Sequence, residues 1–324
     1  MRGLPGTPTR PTVRSMPAPP VEEGRIPFHG FHTWYRIVGA ADEGSLPVLA
    51  LHGGPGACHD YLEPFEALAD TGRRVIFYDQ LGCGSSGIAD QPHDPSMWTV
   101  ELFVEEVDAV RRALGLERVH VLGQSWGGML AMEYALTQPE GLASLIIESS
   151  PASMTQWVSE ANLLRAALPP DVQETLLAHE DAGTTDSPEY EEAMAVFYDR
   201  HVCRTKPTPE CVSRTFARLD ADPEVYHTMN GPSEFHVVGT LKEWNIVDRL
   251  GGIDVPTLVM SGRYDEATPA IMDVVQNGIA GSERVTFEES SHMCHVEETA
   301  RCLEVVADFL DRTEAAASRS WSSA

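Results

Sequence analysis

Five residues, Gly123-Gln124-Ser125-Trp126-Gly127, sit between an apolar β-branched run, Val119-His120-Val121-Leu122, and a helix-like stretch from Gly128 to Gln138. Strand, sharp Gly-rich turn, helix is the context in which G-x-S-x-G describes a nucleophile elbow. Such a turn exposes a Ser hydroxyl above the end of a β-sheet, and the flanking glycines let the backbone turn tightly. A bare G-x-S-x-G is weak, because Gly and Ser are common loop residues. In this context it makes Ser125 the candidate nucleophile and demands a sheet beneath it.

The chain supplies that sheet. Short apolar runs at 34–38, 46–51, 74–78, 119–122, 145–148, 257–261 and 284–287 read as strands, and helical patterns fit 61–69, 100–114, 129–138 and 299–311. This alternation implies an α/β fold, a mostly parallel sheet with helices on both faces. From about 151 to 250 the alternation stops and helical patterns take over, at 155–167, 170–179, 188–201 and 209–219. That segment is expected to form a helical cap (151–250) over Ser125, inserted into a core of 25–150 and 251–313. A length of 324 residues with 42% hydrophobic content suits one large core with a subdomain. The Pro-, Arg- and Thr-rich residues 1–24 lack the roughly 7–15-residue apolar core of a signal peptide and are expected to be a disordered tail. Residues 314–324 are expected to fray. No stretch approaches the roughly 20 apolar residues of a membrane span.

A Ser hydroxyl needs a base within hydrogen-bond reach, and the base needs a carboxylate to hold its tautomer. Behind such an elbow they follow in the order Ser, acid, His, each past the end of a later strand. Thr257-Leu258-Val259-Met260 runs into Ser261-Gly262-Arg263-Tyr264-Asp265-Glu266, so Asp265 is the candidate acid. Val285-Thr286-Phe287 leads through Glu288-Glu289-Ser290-Ser291 to His292, the candidate base, with His295 as its competitor. The loop His52-Gly53-Gly54-Pro55-Gly56 follows the strand 46–51, where one oxyanion donor is expected, and the residue after the nucleophile gives the other. The two donors are assigned to Gly54 and Trp126.

Beyond the elbow, His52-Gly53-Gly54-Pro55-Gly56, Tyr78-Asp79-Gln80-Leu81-Gly82-Cys83-Gly84-Ser85-Ser86 and Met229-Asn230-Gly231-Pro232-Ser233-Glu234-Phe235 are more specific. With them the chain, from about residue 27 to 309, resembles the prolyl iminopeptidases and their tricorn-interacting-factor-like relatives among serine α/β-hydrolases. The resemblance implies removal of an N-terminal residue, often proline, from a peptide or amide. It also implies that carboxylates of the cap and acid loop grip the free amine, which here are Glu234 and Glu266. The chemistry fits, since an aminopeptidase must read a cationic chain end with a pKa near about 7.7–8.0 for ordinary residues. Two converging carboxylates give charge-assisted hydrogen bonds and reject uncharged acyl groups. The bland alternative is that both are solvated acids, as most Glu are. Aromatics Trp157, Phe197, Tyr198, Tyr226 and Trp244 are candidates for lining a proline-sized slot, though aromatics on helix faces are more often core.

A net charge of −26, from 49 acidic and 23 basic residues, argues against nucleic acid and anionic membrane as partners. It would attract a cationic amine, although solubility alone explains it equally well. The six Cys show no zinc-ligand spacing or disulfide framework, so reduced thiols in the cytoplasm and no cofactor are expected. Cys83 and Cys294 are expected in loops bordering the site, within reach of thiol reagents. The partner is then a small peptide or amino-acid amide with a free amine, and oligomeric state stays open. An amino-acid amidase or biosynthetic acyl-transfer enzyme with the same triad, or a non-catalytic relative that binds a ligand under its cap, are the alternatives. Dehalogenase and epoxide-hydrolase chemistry would place Asp at the elbow.

Overall fold

The computed structural model describes residues 19–40 and 44–322. Its strands are β1 (Val21–Phe28), β2 (Phe31–Val38), β3 (Val48–Leu51), β4 (Val75–Asp79), β5 (Val119–Gln124), β6 (Leu142–Glu148), β7 (Thr257–Gly262) and β8 (Glu283–Phe287). They form one sheet in the order β1-β2-β4-β3-β5-β6-β7-β8. β2 runs against both of its neighbours, and the pairings from β4 across to β8 are parallel. β5, which delivers Ser125, therefore lies inside the sheet between β3 and β6.

Helices α1 (Val100–Ala113) and α2 (Trp126–Leu136) precede an insertion between β6 and β7. The insertion holds α3 (Met154–Arg165), α4 (Pro170–Ala182), α5 (Pro188–His201), α6 (Glu210–Ala221) and α7 (Glu224–Met229). The core is completed by α8 (Pro269–Gly278), α9 (Cys294–Glu297) and α10 (Thr299–Ser322). Strands covered on both faces read as continuous apolar runs, and alternate residues feed opposite layers. Leu49 and Leu51 join Val121, Ile147 and Val259 beneath α1, α2 and α8. Val48 and Ala50 join Leu122, Ile146 and Leu258 beneath α10 and the 3₁₀ helix His59–Thr71. Side-chain caps fix several helix starts: Thr99 accepts from Leu102 N, Ser153 from Gln156 N and Ser187 from Tyr190 N.

The structure departs from expectation at both ends. Residues 21–24 are not tail but the start of β1, because Val21 pairs with Val38 across an antiparallel ladder; residues 1–18 lie outside the described residues. Helix α10 continues past 314, where fraying was expected, to Ser322, and Glu314 ties it to the core. That carboxylate accepts from Leu46 N at 3.1 Å and lies 3.0 Å from His120 Nε2 and 3.2 Å from Arg73. The segment 61–69 lies in the 3₁₀ helix, which contains Pro64. α8 was not anticipated.

The insertion is tied to the core at several places, among them α3, α7 and the two that follow. From α6, Arg214 pairs with Asp60 at 2.9 Å and with Glu63, and Arg218 reaches Asp60 at 3.2 Å. At the end of α5, the His201 carbonyl accepts from Glu266 N at 3.3 Å and His292 N at 3.2 Å. The second tie fixes both of the loops that carry chemistry.

Candidate active site

Ser125 adopts φ 57° and ψ −125° at the junction of β5 and α2. It is the strained residue; Gly123 and Gly127 do not have positive φ. The glycines are needed for closeness instead. A Cβ on Gly123 would lie 2.1 Å from the Gly127 carbonyl oxygen, and one on Gly127 would lie 2.0 Å from that of Leu51. The turn thus packs against β3 with no room for a side chain, and Ser125 is left 9% exposed at the floor of a cleft. That cleft is narrow and is bordered by Gly54, Trp126, Met129, Met154, Trp157 and Glu234. Trp126 opens α2, where the first backbone N–H groups have no helical acceptor. Gly54 has φ +112°, and a Cβ there would meet Gly56 N at 2.6 Å, so the loop requires glycine.

His292 Nδ1 lies 2.8 Å from Asp265 Oδ1, and both side chains are buried. The Asp265 carboxylate also accepts from Ala267 N at 2.8 Å and from Ser149 Oγ at 2.6 Å. With Nδ1 held on a carboxylate, Nε2 is the nitrogen left to accept a proton. His295 is not a competitor for that role. Its Nδ1 is held by Glu148 at 2.7 Å and its Nε2 faces the Tyr61 carbonyl at 3.0 Å, beneath the site.

Glu234, from the insertion, and Glu266, next to Asp265 in the acid loop, both bring charge to this centre. Glu266 is fully buried, neither of its oxygens has a hydrogen-bond partner, and Oε1 stands 3.7 Å from His292 Nε2. Burial, then the charge of Glu234, push its carboxyl well above the usual range, with His292 pulling the other way. Glu234 comes from the insertion. Its Oε1 accepts from Tyr226 OH at 2.8 Å and its carbonyl accepts from Trp157 Nε1 at 2.6 Å. Burial raises its pKa as well, against the His292 charge and the Tyr226 hydroxyl. For His292, burial opposes the charged form, yet Asp265, Glu266 and Glu234 outweigh it and push its pKa up to about 10.

Four residues organise the site without having been singled out for it. Gln80 donates from Nε2 to the His52 carbonyl at 2.8 Å and accepts from Trp126 Nε1 at 2.8 Å, joining the two loops assigned to the oxyanion. Tyr61 accepts from Gly53 N at 2.7 Å and donates to Gln124 Oε1 at 2.5 Å; Gln124 Nε2 then donates to the His292 carbonyl at 2.9 Å. Ser149, at φ 53°, braces Asp265. Gln80 and Gln124 lie inside quoted motifs, which was the available signal; Tyr61 and Ser149 carried none.

Of the aromatics, Trp157 borders the cleft, and Tyr198 and Tyr226 surround Glu234, with Tyr198 OH accepting from Glu234 N at 3.3 Å. Phe197 instead packs on Phe235 inside the insertion, and Trp244 donates to Glu133 at 2.9 Å. The expectation for Cys83 and Cys294 is corrected. Both are buried, burial pushes both thiols well up, and Cys294 Sγ donates to Glu148 at 2.9 Å, so neither offers a thiolate to reagents. One acidic cluster, His59, Asp60 and Glu63, has the spacing to hold a cation, but Arg214 already occupies its carboxylates.

Residues 47–299 match the alpha/beta hydrolase fold family. The proline iminopeptidase of Saccharolobus solfataricus is 39% identical over 293 residues, covering 90% of this chain and 93% of that protein. The proline iminopeptidase of Lactobacillus helveticus is 40% identical over 293 residues, covering 90% and 98%. Among solved structures, the proline iminopeptidase of Mycobacterium smegmatis superposes with a TM-score of 0.84 at 47% identity, covering 91% of this chain and all of that one. VinJ superposes with a TM-score of 0.87 at 46% identity, covering 90% and 99%. With the elbow and the sheet order in place, these likenesses mean that the chain belongs to the proline iminopeptidase family of alpha/beta hydrolases.

Proposed function

We propose that the protein is a serine aminopeptidase that removes an N-terminal residue, proline foremost, from small peptides or amides. Ser125 Oγ attacks the carbonyl carbon of the first residue while His292 Nε2 takes its proton, and Asp265 holds the imidazolium that results. The backbone N–H groups of Gly54 and Trp126 receive the developing oxyanion. His292 then gives its proton to the leaving amine, whose C–N bond breaks to leave an acyl-enzyme. Water, deprotonated by the same nitrogen, releases the free residue.

One observation carries the choice of an amine-bearing substrate: Glu266 is a fully buried carboxylate with both oxygens unpaired, beside the base and within reach of the Glu234 charge. Burying a carboxylate without hydrogen bonds is costly, so the site is built for a cation that arrives with the ligand. A prolyl nitrogen carries two N–H bonds, one for each carboxylate. The apolar border of the cleft, with Met129, Met154 and Trp157, suits a small ring. Six unpaired thiols support a reducing compartment such as the cytoplasm, and among the described residues no helix is long and apolar enough to cross a membrane.

The test is a panel of aminoacyl-naphthylamides with free and N-acetylated ends, alongside prolinamide and Pro-X dipeptides. Free-amine substrates, prolyl above others, should turn over and their acetylated forms should not; equal rates for both would overturn the reading. Glu234→Gln should lower kcat/KM for free-amine substrates by roughly 30- to several-thousand-fold, as expected when one partner of a buried charged hydrogen bond is lost at about 2–5 kcal/mol.

A further inference from the structure

His292 is held between two adjacent acids. Asp265 Oδ1 is 2.8 Å from Nδ1, and Glu266 Oε1 is 3.7 Å from Nε2, the nitrogen that must accept the Ser125 proton. Asp265 has three partners of its own. Glu266 has none, and among the described residues His292 is the one basic group within 4.0 Å of its carboxylate. The other groups packed around the pair supply no compensating cation. Glu234, from the insertion, adds a further negative charge. The Tyr198 and Tyr226 hydroxyls, from α5 and α7, are kept neutral because burial pushes their pKa well up. Burial lowers the pKa of the His201 ring at the end of α5, and its carbonyl holds the backbone of both Glu266 and His292. Trp157, from α3, meets the imidazole edge-on at 6.0 Å. Arg284, on β8, is paired with Asp273 at 3.0 Å and interacts more weakly with the charge of Asp265.

We propose that Glu266 makes the general base conditional on the substrate's own amine: in the empty site its carboxylate holds His292 as imidazolium, and a seated ammonium takes that carboxylate over and frees Nε2. The inference rests on the amine-clamp reading and adds to it. One cation replaces another. The ligand brings one positive charge to Glu266 and Glu234, the imidazolium loses its Nε2 proton to solvent, and the neutral imidazole can then accept the proton of Ser125. A ligand with no amine brings no charge and leaves the base protonated. Selection for a free chain end therefore acts on the chemical step as well as on binding. The pKa of His292 and that of the Glu266 carboxyl are both pushed up, the first by the surrounding acids against burial and the second by burial and Glu234, so the pair 3.7 Å apart holds a proton in the empty site that an arriving ammonium displaces.

Two measurements test it. Prolinamide is titrated calorimetrically into Ser125→Ala protein at pH 7 in buffers of differing ionisation heat; close to one proton should be released per molecule bound, and none released would overturn the proposal. Second, Glu266→Gln is assayed on p-nitrophenyl acetate, which has no amine, and on prolyl-naphthylamide. Removing an opposite charge at this distance should lower the acid limb for the acetate ester by about one pH unit or more and raise its rate at pH 7 about tenfold or more. Prolyl-naphthylamide turnover should fall in the same protein. A fall on the prolyl substrate with an unchanged ester rate and acid limb would leave the clamp standing and overturn the conditional base. No change on the prolyl substrate would overturn the clamp itself. Should Glu266→Gln not fold, an NMR titration of the His292 ring in the Ser125→Ala protein with and without prolinamide decides the matter, an imidazole pKa that the ligand does not lower overturning the proposal.

Discussion

Ser125 combines the nucleophile with a backbone conformation that costs a non-glycine residue on the order of 1–3 kcal/mol. Two substitutions there separate chemistry from strain. Ser125→Ala and Ser125→Gly should each lower turnover by on the order of 10⁴–10⁶-fold. Thermal unfolding should show Ser125→Gly as the more stable of the two, because glycine alone adopts φ 57° and ψ −125° without a Cβ penalty; equal midpoints would mean that the elbow is not strained. The two histidines divide in the same way. His292→Ala should abolish activity with modest loss of stability. His295→Ala should instead strip the buried Glu148 of its ring-nitrogen partner at 2.7 Å. Burial works against the Glu148 charge, which His295 and the Cys294 thiol hold below the usual carboxylate range. Breaking such a pair costs about 3–5 kcal/mol, so a stable but inactive His295→Ala protein would reverse the two assignments.

At the scale of elements, α10 continues past the point where its polar end was expected to fray, and Glu314 reaches back to Leu46, His120 and Arg73. Burial alone would raise the pKa of Glu314, but the hydrogen bonds from His120 and Leu46 N and the nearby Arg73 depress it. A carboxylate depressed in the folded state contributes stability that is full above its unfolded pKa, about 4.3, and is lost as pH falls through the folded value. Glu314→Gln should therefore lower stability at pH 7 by about 1–3 kcal/mol. The gap between variant and parent should narrow as pH falls below about 4 in denaturant titrations; a gap constant with pH would show that the charge is not involved. The same long reach explains what the sequence could and could not disclose. Runs such as Val48–Leu51 and Thr257–Gly262 are buried on both faces and announce themselves by apolarity. β1 does not, because Val-Glu-Glu-Gly-Arg lies at the sheet edge and buries only Ile26 and Phe28. Ser125, Asp265 and His292 were readable because each must stand past a strand end in a fixed chain order. Tyr61 and Ser149 were not, since their partners lie across folded space and no local pattern encodes them. The roles first given to Gly123 and Gly127 had the right residues and the wrong reason, close approach replacing backbone freedom.

The whole molecule carries a net charge of −26, and its effect on a cationic substrate is separable from that of the buried clamp. A field spread over the surface is screened within about 10 Å at 0.1 M salt, whereas buried pairs are screened far less. Surface charge raises the local concentration of a cation and its rate of encounter, so it acts on kcat/KM and not on the bound complex. Raising ionic strength from about 0.01 to 0.5 M should thus lower kcat/KM for prolyl-naphthylamide several-fold. It should leave kcat for that substrate and both constants for p-nitrophenyl acetate nearly unchanged. Glu234→Gln should keep the same fractional salt dependence while starting from a much lower kcat/KM, because one buried charge is a small part of the total field. If salt depresses kcat as strongly as kcat/KM, the clamp is open to solvent ions, and the enclosure of the carboxylates on which the amine reading depends is lost. If salt changes neither, the acidic surface serves solubility alone and recognition of the amine begins at Glu234 and Glu266.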